Sequence, residues 1–280
     1  MTQTQQILVT GATGTVGRQV VAELLERGHR VRALTRDAGK AAFPASVEVV
    51  EGDLTEPDSL AAALDGVTGL HLITFGDTAF SPLETGPRIL ELARSAGVRR
   101  VTVLHGGGPT PLEDAVRAAD GVDWTVLMPV EFMANALEWA DGIVASGEVR
   151  EPFVDRLSAM VHEGDIGAVA AVALTEEGHG GQEYVITGPD VLTVGDKVKT
   201  IAAAAGREIT LVELTEEEAL AQWRATGLPE DVIGFLLMAY GNTPEVGRTV
   251  SGTVEKVTGR PARTFAGWAA EHAHRFGGRS

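Results

Sequence analysis

Short β-branched strands and longer amphipathic helices alternate along the first half of the chain. A strand is predicted at 7–10, and the glycine-rich turn behind it leads into apolar residues at helical spacing, namely Val16, Val20, Val21, Leu24 and Leu25. Further strands are predicted at 30–35, 47–50, 70–74, 100–104 and 124–128, with helices at 58–64 and 83–96. This alternation predicts an α/β fold, a doubly wound parallel sheet of the Rossmann-like type.

The second half of the chain is less regular. A helix at 132–139 should cross the carboxyl edge of the sheet, where ligands bind in such folds. Later segments predict strands at 157–161 and 183–187, and helices at 166–174, 194–205, 216–224 and 229–240. We therefore predict a dinucleotide-binding domain over 1–150 and a smaller C-terminal substrate-binding subdomain over 151–280. The strand at 183–187 is a candidate to return to the main sheet.

The charge and composition of the chain disfavour several classes of binding partner. A formal net charge of −16 disfavours nucleic acid and anionic membranes, since both are negatively charged. The chain has no cysteine, and its seven histidines show no metal-ligand spacing, so we expect no disulfide and no metal. The polar start carries no secretory pattern, and the most apolar run is too short to span a membrane. We expect a soluble cytoplasmic protein, with homo-oligomerisation left open.

A GxxGxxG string lies between the first strand and the first helix. Glycines at this place let the backbone turn tightly and approach a pyrophosphate, while the helix N-terminus supplies N–H donors. We assign the string and its neighbours to dinucleotide binding: Gly11, Thr13, Gly14, Thr15, Val16 and Gly17. The alternative is an ordinary strand-to-helix turn.

The end of the second strand indicates which dinucleotide is bound. A site that prefers NAD usually has a carboxylate there for the ribose 2′-hydroxyl, but this chain has Thr35 followed by Arg36. Arg18, just past the third glycine, supplies a second guanidinium, and the two could hold a 2′-phosphate. We predict NADP(H). The alternative is that Arg36 only pairs with Asp37 on the surface.

Residues after the later strands complete the predicted cofactor site. Asp53 and Leu54 fit the adenine, through a contact to its amino group and cover for its ring, although Asp53 could equally cap a turn. At the carboxyl ends of the fourth and sixth strands we assign four more cofactor contacts, Thr74, Phe75, Gly76 and Pro129.

Seven segments together resemble the atypical short-chain dehydrogenase/reductases, in particular the NmrA-like branch. They are 9–14, 34–36, 52–54, 123–129, 132–135, 164–170 and 186–189, and the likeness covers nearly the whole chain. The resemblance implies NADP(H) binding and two functional classes. Some members reduce quinones, enones or related small metabolites, and others bind the dinucleotide without turnover and report redox state to a protein partner.

The chain departs from the mainstream short-chain enzymes in its acid-base residues. Their Tyr-x-x-x-Lys pair is absent, because Tyr184 and Tyr240 are followed four residues later by Gly188 and Pro244. His105 stands where relatives usually carry serine and is our main candidate for a proton donor, although a lone histidine is more often packed or solvated. Two further catalytic candidates follow Pro129, namely Glu131 and Asn135, and either could instead cap a helix.

These features predict an NADPH-dependent reductase of a quinone-like or conjugated carbonyl small molecule. A flat, apolar or aromatic substrate would contact Phe132, Trp139 and Phe153, with Phe75 and Met133 as further lining or as core residues. The alternative is a non-catalytic NADP(H)-binding redox sensor. A third hypothesis is isomerisation or epimerisation with retained cofactor.

Overall fold

The computed structural model describes residues 4–76 and 81–278. Nine strands lie in the described ranges: β1 Gln6–Val9, β2 Arg30–Thr35, β3 Val47–Glu51, β4 Gly69–Ile73, β5 Arg100–Leu104, β6 Asp123–Pro129, β7 Glu148–Pro152, β8 Gln182–Ile186 and β9 Thr210–Leu214. Seven of them form one parallel sheet in the order β3-β2-β1-β4-β5-β6-β8. The order reverses between β1 and β4, which is the place where such sheets bind ligands. The predicted fold class is confirmed.

Helices cover the sheet because its central strands, such as β1 and β4, are buried on both faces. The α-helices are α1 Thr15–Glu26, α2 Gly86–Ser95, α3 Pro111–Arg117, α4 Ala140–Ser146, α5 Glu163–Thr175, α6 Val194–Ala205, α7 Glu216–Ala225, α8 Glu230–Gly241, α9 Thr253–Thr258 and α10 Phe265–Glu271. All residues of α5 are buried, and Gly167 lets it approach α1, since a Cβ there would lie 2.7 Å from Gln19.

The chain divides into two compact units. The nucleotide unit comprises Met1–Pro129, Glu163–Ile186 and Thr253–Gly259, and the second unit comprises Val130–His162, Thr187–Gly252 and Arg260–Ser280. The sequence predicted a single boundary at residue 150, whereas each unit consists of three separate segments of the chain. The cause is that α5 and β8 pack in the layers of the main sheet, with β8 beside β6, although they come late in the chain.

The second unit contains a small sheet that the sequence pattern did not predict. Its strands β7 and β9 pair in parallel, and its core is formed by residues such as Ile143, Ile201, Phe265 and Trp268. The prediction of a strand at 157–161 is wrong. That segment is extended and largely buried, but its hydrogen bonds go to several separate segments, through isolated bridges such as Ser158 with Leu192.

Two segments that were predicted to be α-helices form shorter 3₁₀ helices instead. The helix predicted at 58–64 is a 3₁₀ turn over Pro57–Leu60, and the helix predicted at 132–139 is a 3₁₀ helix over Met133–Trp139 that leads into α4. In the first case Leu60 anchors the turn in the core and Gly66, with a φ of +68°, closes the segment before another full turn forms.

Candidate functional site

The glycine-rich turn after β1 is shaped by its own backbone. Gly11 has a φ of +58°, and the Gly14 N–H donates to the Gly11 carbonyl oxygen at 2.9 Å. A Cβ on Gly17 would lie only 2.1 Å from the same oxygen. Glycine is therefore required at 11 for its left-handed backbone and at 17 for the close approach of α1 to the turn.

The N-terminus of α1 is open to an anion. Gly14 is its N-cap residue, no side chain caps the helix, and its first turn contains no acidic residue. Thr13, Gly14 and Thr15 are exposed, whereas Val16 is buried in the core. Backbone N–H groups and the positive end of the helix dipole thus remain available. The turn fits a diphosphate, which would be held by the backbone from Gly14 onward.

Arg36 lies exposed directly after β2 and forms no salt bridge with any described residue. The alternative pairing with Asp37 does not form, because Lys40 occupies Asp37 at 2.9 Å. Thr35 closes the turn by accepting from the Asp37 N–H at 3.3 Å. The guanidinium of Arg36 therefore keeps all its donors for a ligand.

Arg18 is partly committed to its surroundings. Its Nε donates to the Thr13 carbonyl oxygen at 2.9 Å and its Nη1 to the Ala42 oxygen at 3.3 Å. The guanidinium also lies over the ring of Phe43, 5.5 Å from its centroid. Arg18 thus supports the glycine turn and offers fewer free donors than Arg36.

Asp53 forms a local turn with Thr55. Its Oδ1 accepts from the Thr55 N–H at 2.8 Å and from the Thr55 hydroxyl at 2.7 Å. These hydrogen bonds hold the pKa of Asp53 below its usual range, and the nearby charge of Arg36 adds to the effect. Leu54 is a core residue at 8% exposure. Asp53 therefore caps a turn, and its adenine contact remains a proposal.

Hydrogen bonds fix the backbone just after β4 and connect it to the end of β5. The Thr74 hydroxyl donates to the Leu104 carbonyl oxygen at 3.2 Å, and the Gly76 N–H donates to the Ser81 oxygen at 3.1 Å. The ring of Phe75 lies so close to Gly106 that a Cβ there would be 2.1 Å from it. Pro129 ends β6 opposite Ile186. All four predicted cofactor contacts of these strands lie in the nucleotide unit.

His105 follows β5 and is hydrogen-bonded to a buried acid. Its backbone N–H donates to the Leu127 oxygen at 2.8 Å, and its ring Nδ1 contacts Oε1 of Glu113. The His105 side chain is 21% exposed and that of Glu113 is 1% exposed. Sequence reasoning missed Glu113: the order Thr110-Pro111-Leu112-Glu113 is typical of a helix start, but it does not indicate the contact with His105.

Glu131 lies in the second unit in an ion pair with a buried lysine. Its Oε2 is 2.9 Å from Nζ of Lys197, whose side chain is 0% exposed. Burial acts to raise the pKa of Glu131, but the charge of Lys197, assisted by Arg156, outweighs it and holds the pKa low. Glu131 is thus an ionised carboxylate with a fixed partner and caps no helix.

A second ion pair lies near the first. Arg156 Nη2 is 2.9 Å from Glu151 Oε2, and Glu151 Oε1 accepts from the Trp139 indole N–H at 2.7 Å. The guanidinium of Arg156 also lies over the ring of Tyr240, 4.0 Å from its centroid. Burial raises the pKa of Tyr240, so its hydroxyl stays protonated. Trp139, predicted to touch substrate, is therefore oriented by a carboxylate.

The other predicted residues of this unit differ in exposure. Met133 is buried at 1% in the core, Phe132 is half-buried, and Asn135 is exposed, with its N–H donating to the Phe132 oxygen at 3.1 Å. Phe153 has a φ of +50°, which is unusual for a bulky residue. It lines a cavity of about 360 Å³ together with Arg156, Tyr240 and eight others.

No group of three or more His, Asp or Glu residues in the described ranges could hold a metal ion. No helix in the described part of the chain is long and apolar enough to cross a membrane.

Comparisons with known proteins identify the family. A model described as NAD(P)H-binding matches residues 11–111. An NAD(P)H azoreductase from Xenophilus azovorans is 36% identical over 97% of this chain and 99% of its own length. A (4-alkanoyl-5-oxo-2,5-dihydrofuran-3-yl)methyl phosphate reductase from Streptomyces griseus is 36% identical over 96% and 99%. The NADPH complex of an NADPH-dependent quinone oxidoreductase from Escherichia coli superposes with a TM-score of 0.78 at 25% identity, covering 95% of this chain and 99% of that one.

The fold, the glycine turn and these similarities define an NAD(P)H-dependent oxidoreductase. The chain belongs to the atypical short-chain dehydrogenase/reductases of the NmrA-like, NAD(P)H-binding group.

Proposed function

We propose that the protein is an NADPH-dependent reductase of quinone-like or conjugated carbonyl small molecules. The observation that carries the proposal is the full-length similarity, at 36% identity, to two proteins that are both named as reductases. One of these names describes an oxo-dihydrofuran with an alkanoyl group, which is a conjugated carbonyl compound.

Arg36 supports NADPH over NADH as the reductant. Its guanidinium is exposed at the end of β2 and free of ion pairs with the described residues, where an NAD-preferring site would carry a carboxylate. The carboxylate of Glu51, which pairs with Thr35 across β2 and β3, accepts from the Ala38 N–H at 3.1 Å. A 2′-phosphate would therefore meet a free cation that can form charge-assisted hydrogen bonds.

When bound, NADPH supplies a hydride, which carries two electrons, and leaves as NADP⁺. The substrate takes that hydride and one proton, so that a quinone becomes a hydroquinone and a conjugated carbonyl its reduced form. The chain's residues have two tasks, to hold the acceptor in place and to deliver or admit the proton. We assign the first task to Phe132, Trp139 and Phe153, and the second to His105.

We assign no proton transfer to the two other catalytic candidates, Glu131 and Asn135. The carboxylate of Glu131 is held by buried Lys197 and so is a poor proton donor. Asn135 is exposed and its side chain has no hydrogen-bond partner in the described ranges, which leaves it free to contact a substrate.

Steady-state NADPH oxidation with a panel of quinones, enones and azo compounds tests this function. We expect acceptor-dependent turnover, with much less activity from NADH. Tight NADPH binding without oxidation by any acceptor would exclude the reductase and favour the redox-sensor alternative, because a sensor binds the dinucleotide without consuming it.

A further inference from the structure

The carboxylate of Glu113 is buried in the nucleotide unit, and no lysine or arginine of the described ranges forms an ion pair with it. Glu113 is the third residue of α3 and is 0% exposed. Buried carboxylates are costly unless hydrogen bonds satisfy them. The hydrogen-bond partners of the Glu113 carboxylate therefore indicate its role.

Every described group that forms a hydrogen bond with this carboxylate is able to donate. Its Oε2 accepts from the Thr110 N–H at 2.8 Å and from the Thr110 hydroxyl at 3.2 Å, and its Oε1 contacts Nδ1 of His105. An ionised carboxylate only accepts hydrogen bonds, so Nδ1 of His105 must carry the hydrogen. In the neutral ring the other nitrogen, Nε2, is then without a hydrogen.

The rest of His105 is fixed around this contact. Its backbone N–H is bonded to Leu127, and the next residue, Gly106, is held against Phe75. No described residue forms a hydrogen bond with Nε2, and the side chain is 21% exposed. One ring nitrogen is thus bound to the protein, and the other is left for an external partner.

We propose that Glu113 is a positioning residue that holds His105 in the Nδ1–H form and thereby makes Nε2 the nitrogen that gives the proton during reduction. The inference rests on the proposed reductase function. In the step, a conjugated carbonyl substrate receives a hydride on carbon from NADPH and a proton on oxygen from Nε2 of the imidazolium. The ring is left neutral with its hydrogen on Nδ1, the form that the carboxylate favours, and it regains a proton from water.

Glu113→Gln provides a sharp test because the amide has only one oxygen. The Thr110 N–H can only donate, so the amide oxygen must face it, and the amide NH₂ must then face Nδ1 of His105. Nδ1 becomes an acceptor and the hydrogen of the neutral ring moves to Nε2. A carboxylate-to-amide change in the serine-protease triad reverses a histidine tautomer in the same way and costs about 10⁴-fold in rate.

Glu218→Gln is the matched control. Glu218 accepts from the Thr215 N–H at 2.8 Å and from the Thr215 hydroxyl at 3.0 Å, which is the same helix-start geometry. It is exposed, and no histidine is bonded to it in the described part of the chain. The control thus removes a carboxylate from an equivalent helix-capping position that has no contact with a histidine ring in the described ranges.

The test uses long-range ¹H–¹⁵N NMR spectra of the full chain with NADP⁺ bound, at a pH where the histidine rings are neutral. The signals of His105 are assigned by their loss in His105→Gln. We expect hydrogen on Nδ1 in the wild type and in Glu218→Gln, and on Nε2 in Glu113→Gln. Hydrogen on Nε2 in the wild type, or an unchanged tautomer in Glu113→Gln, would overturn the proposal.

Kinetics complete the test with a conjugated carbonyl that the wild type reduces. We expect Glu113→Gln to lower kcat by about 100-fold or more with little change in KM for NADPH, and Glu218→Gln to match the wild type. A switched tautomer with unchanged kcat would overturn the role of Nε2 while the reductase function stands. A wild type that reduces no acceptor refutes the reductase function instead, and the proton-transfer role that rests on it falls as well.

Discussion

Glu113 and Glu131 are paired carboxylates, one in each unit, with side chains that are 1% and 18% exposed, and their partners separate a functional role from a structural one. Glu131 faces Lys197, a side chain at 0% exposure that holds a charge no substrate can reach. Glu113 faces His105, which is 21% exposed and keeps one ring nitrogen free of described partners. An acid can act on an external molecule through its partner only when that partner reaches the outside, and of these two acids Glu113 alone has such a partner.

The largest effect is expected for Lys197→Met, which breaks the structural pair of the second unit. The half-buried carboxylate of Glu131 would then lose the partner that holds its charge, and we expect a loss of about 3–5 kcal/mol in unfolding free energy. Urea unfolding followed by tryptophan fluorescence measures this, because Trp139, Trp223 and Trp268 lie in that unit. Adding Glu131→Gln should recover much of the loss. A single variant as stable as the wild type would show that the pair is not structural.

The next largest effect is expected from His71, a buried histidine of the nucleotide unit. His71 is fully buried, and burial lowers its pKa from 6.5 to about 4. The unfolded chain therefore takes up a proton below pH 6.5 that the folded chain refuses until about pH 4. Stability should fall by about 3 kcal/mol as the pH drops through this window. Denaturant unfolding of the wild type and His71→Leu should show a flatter pH dependence in the variant, and equal slopes would refute this.

Arg36 is the exposed counterpart of these buried charges, and its removal should affect the ligand alone. Arg36→Ala should weaken NADPH binding about tenfold and leave NADH binding and stability nearly unchanged, because one charge-assisted contact is lost. Lys40→Ala, in the same loop, is the control, since Lys40 is paired with Asp37. Fluorescence titration with both cofactors measures the effect. Equal losses for NADPH and NADH would contradict a 2′-phosphate contact.

The smallest effect is expected for Glu218→Gln. Its carboxylate occupies an exposed helix start and should leave turnover and cofactor affinity unchanged. A rate loss as large as that of Glu113→Gln would mean that helix capping, and not the contact with His105, explains the role of Glu113.

The nucleotide unit was largely predictable from sequence because each strand and helix follows the next at regular spacing. Strands such as Arg30–Thr35 and Arg100–Leu104 have the predicted bounds. The second unit was not, because β7 and β9 pair across 62 residues and the segment 157–161 bonds to several distant segments. Periodicity reports which face is buried, but it does not report which distant segment covers it.

The site divides in the same way. The glycine turn and Arg36 follow from local rules about turns and strand ends, so the sequence was sufficient to propose them. The contacts of Glu131 with Lys197 and of His105 with Glu113 join residues 66 and eight positions apart, and no local pattern specifies them. Candidate catalytic residues could be named from sequence, but their partners required the structure.

The most direct test of the central claim is an anaerobic single turnover of the NADPH-loaded protein. On addition of a quinone, we expect the absorbance of the bound reduced nicotinamide to disappear as an equal amount of hydroquinone forms. Gly14→Val, whose side chain would block the diphosphate turn, should show neither bound NADPH nor this reaction. Bound NADPH that stays reduced in the presence of quinones, enones and azo compounds would contradict the account.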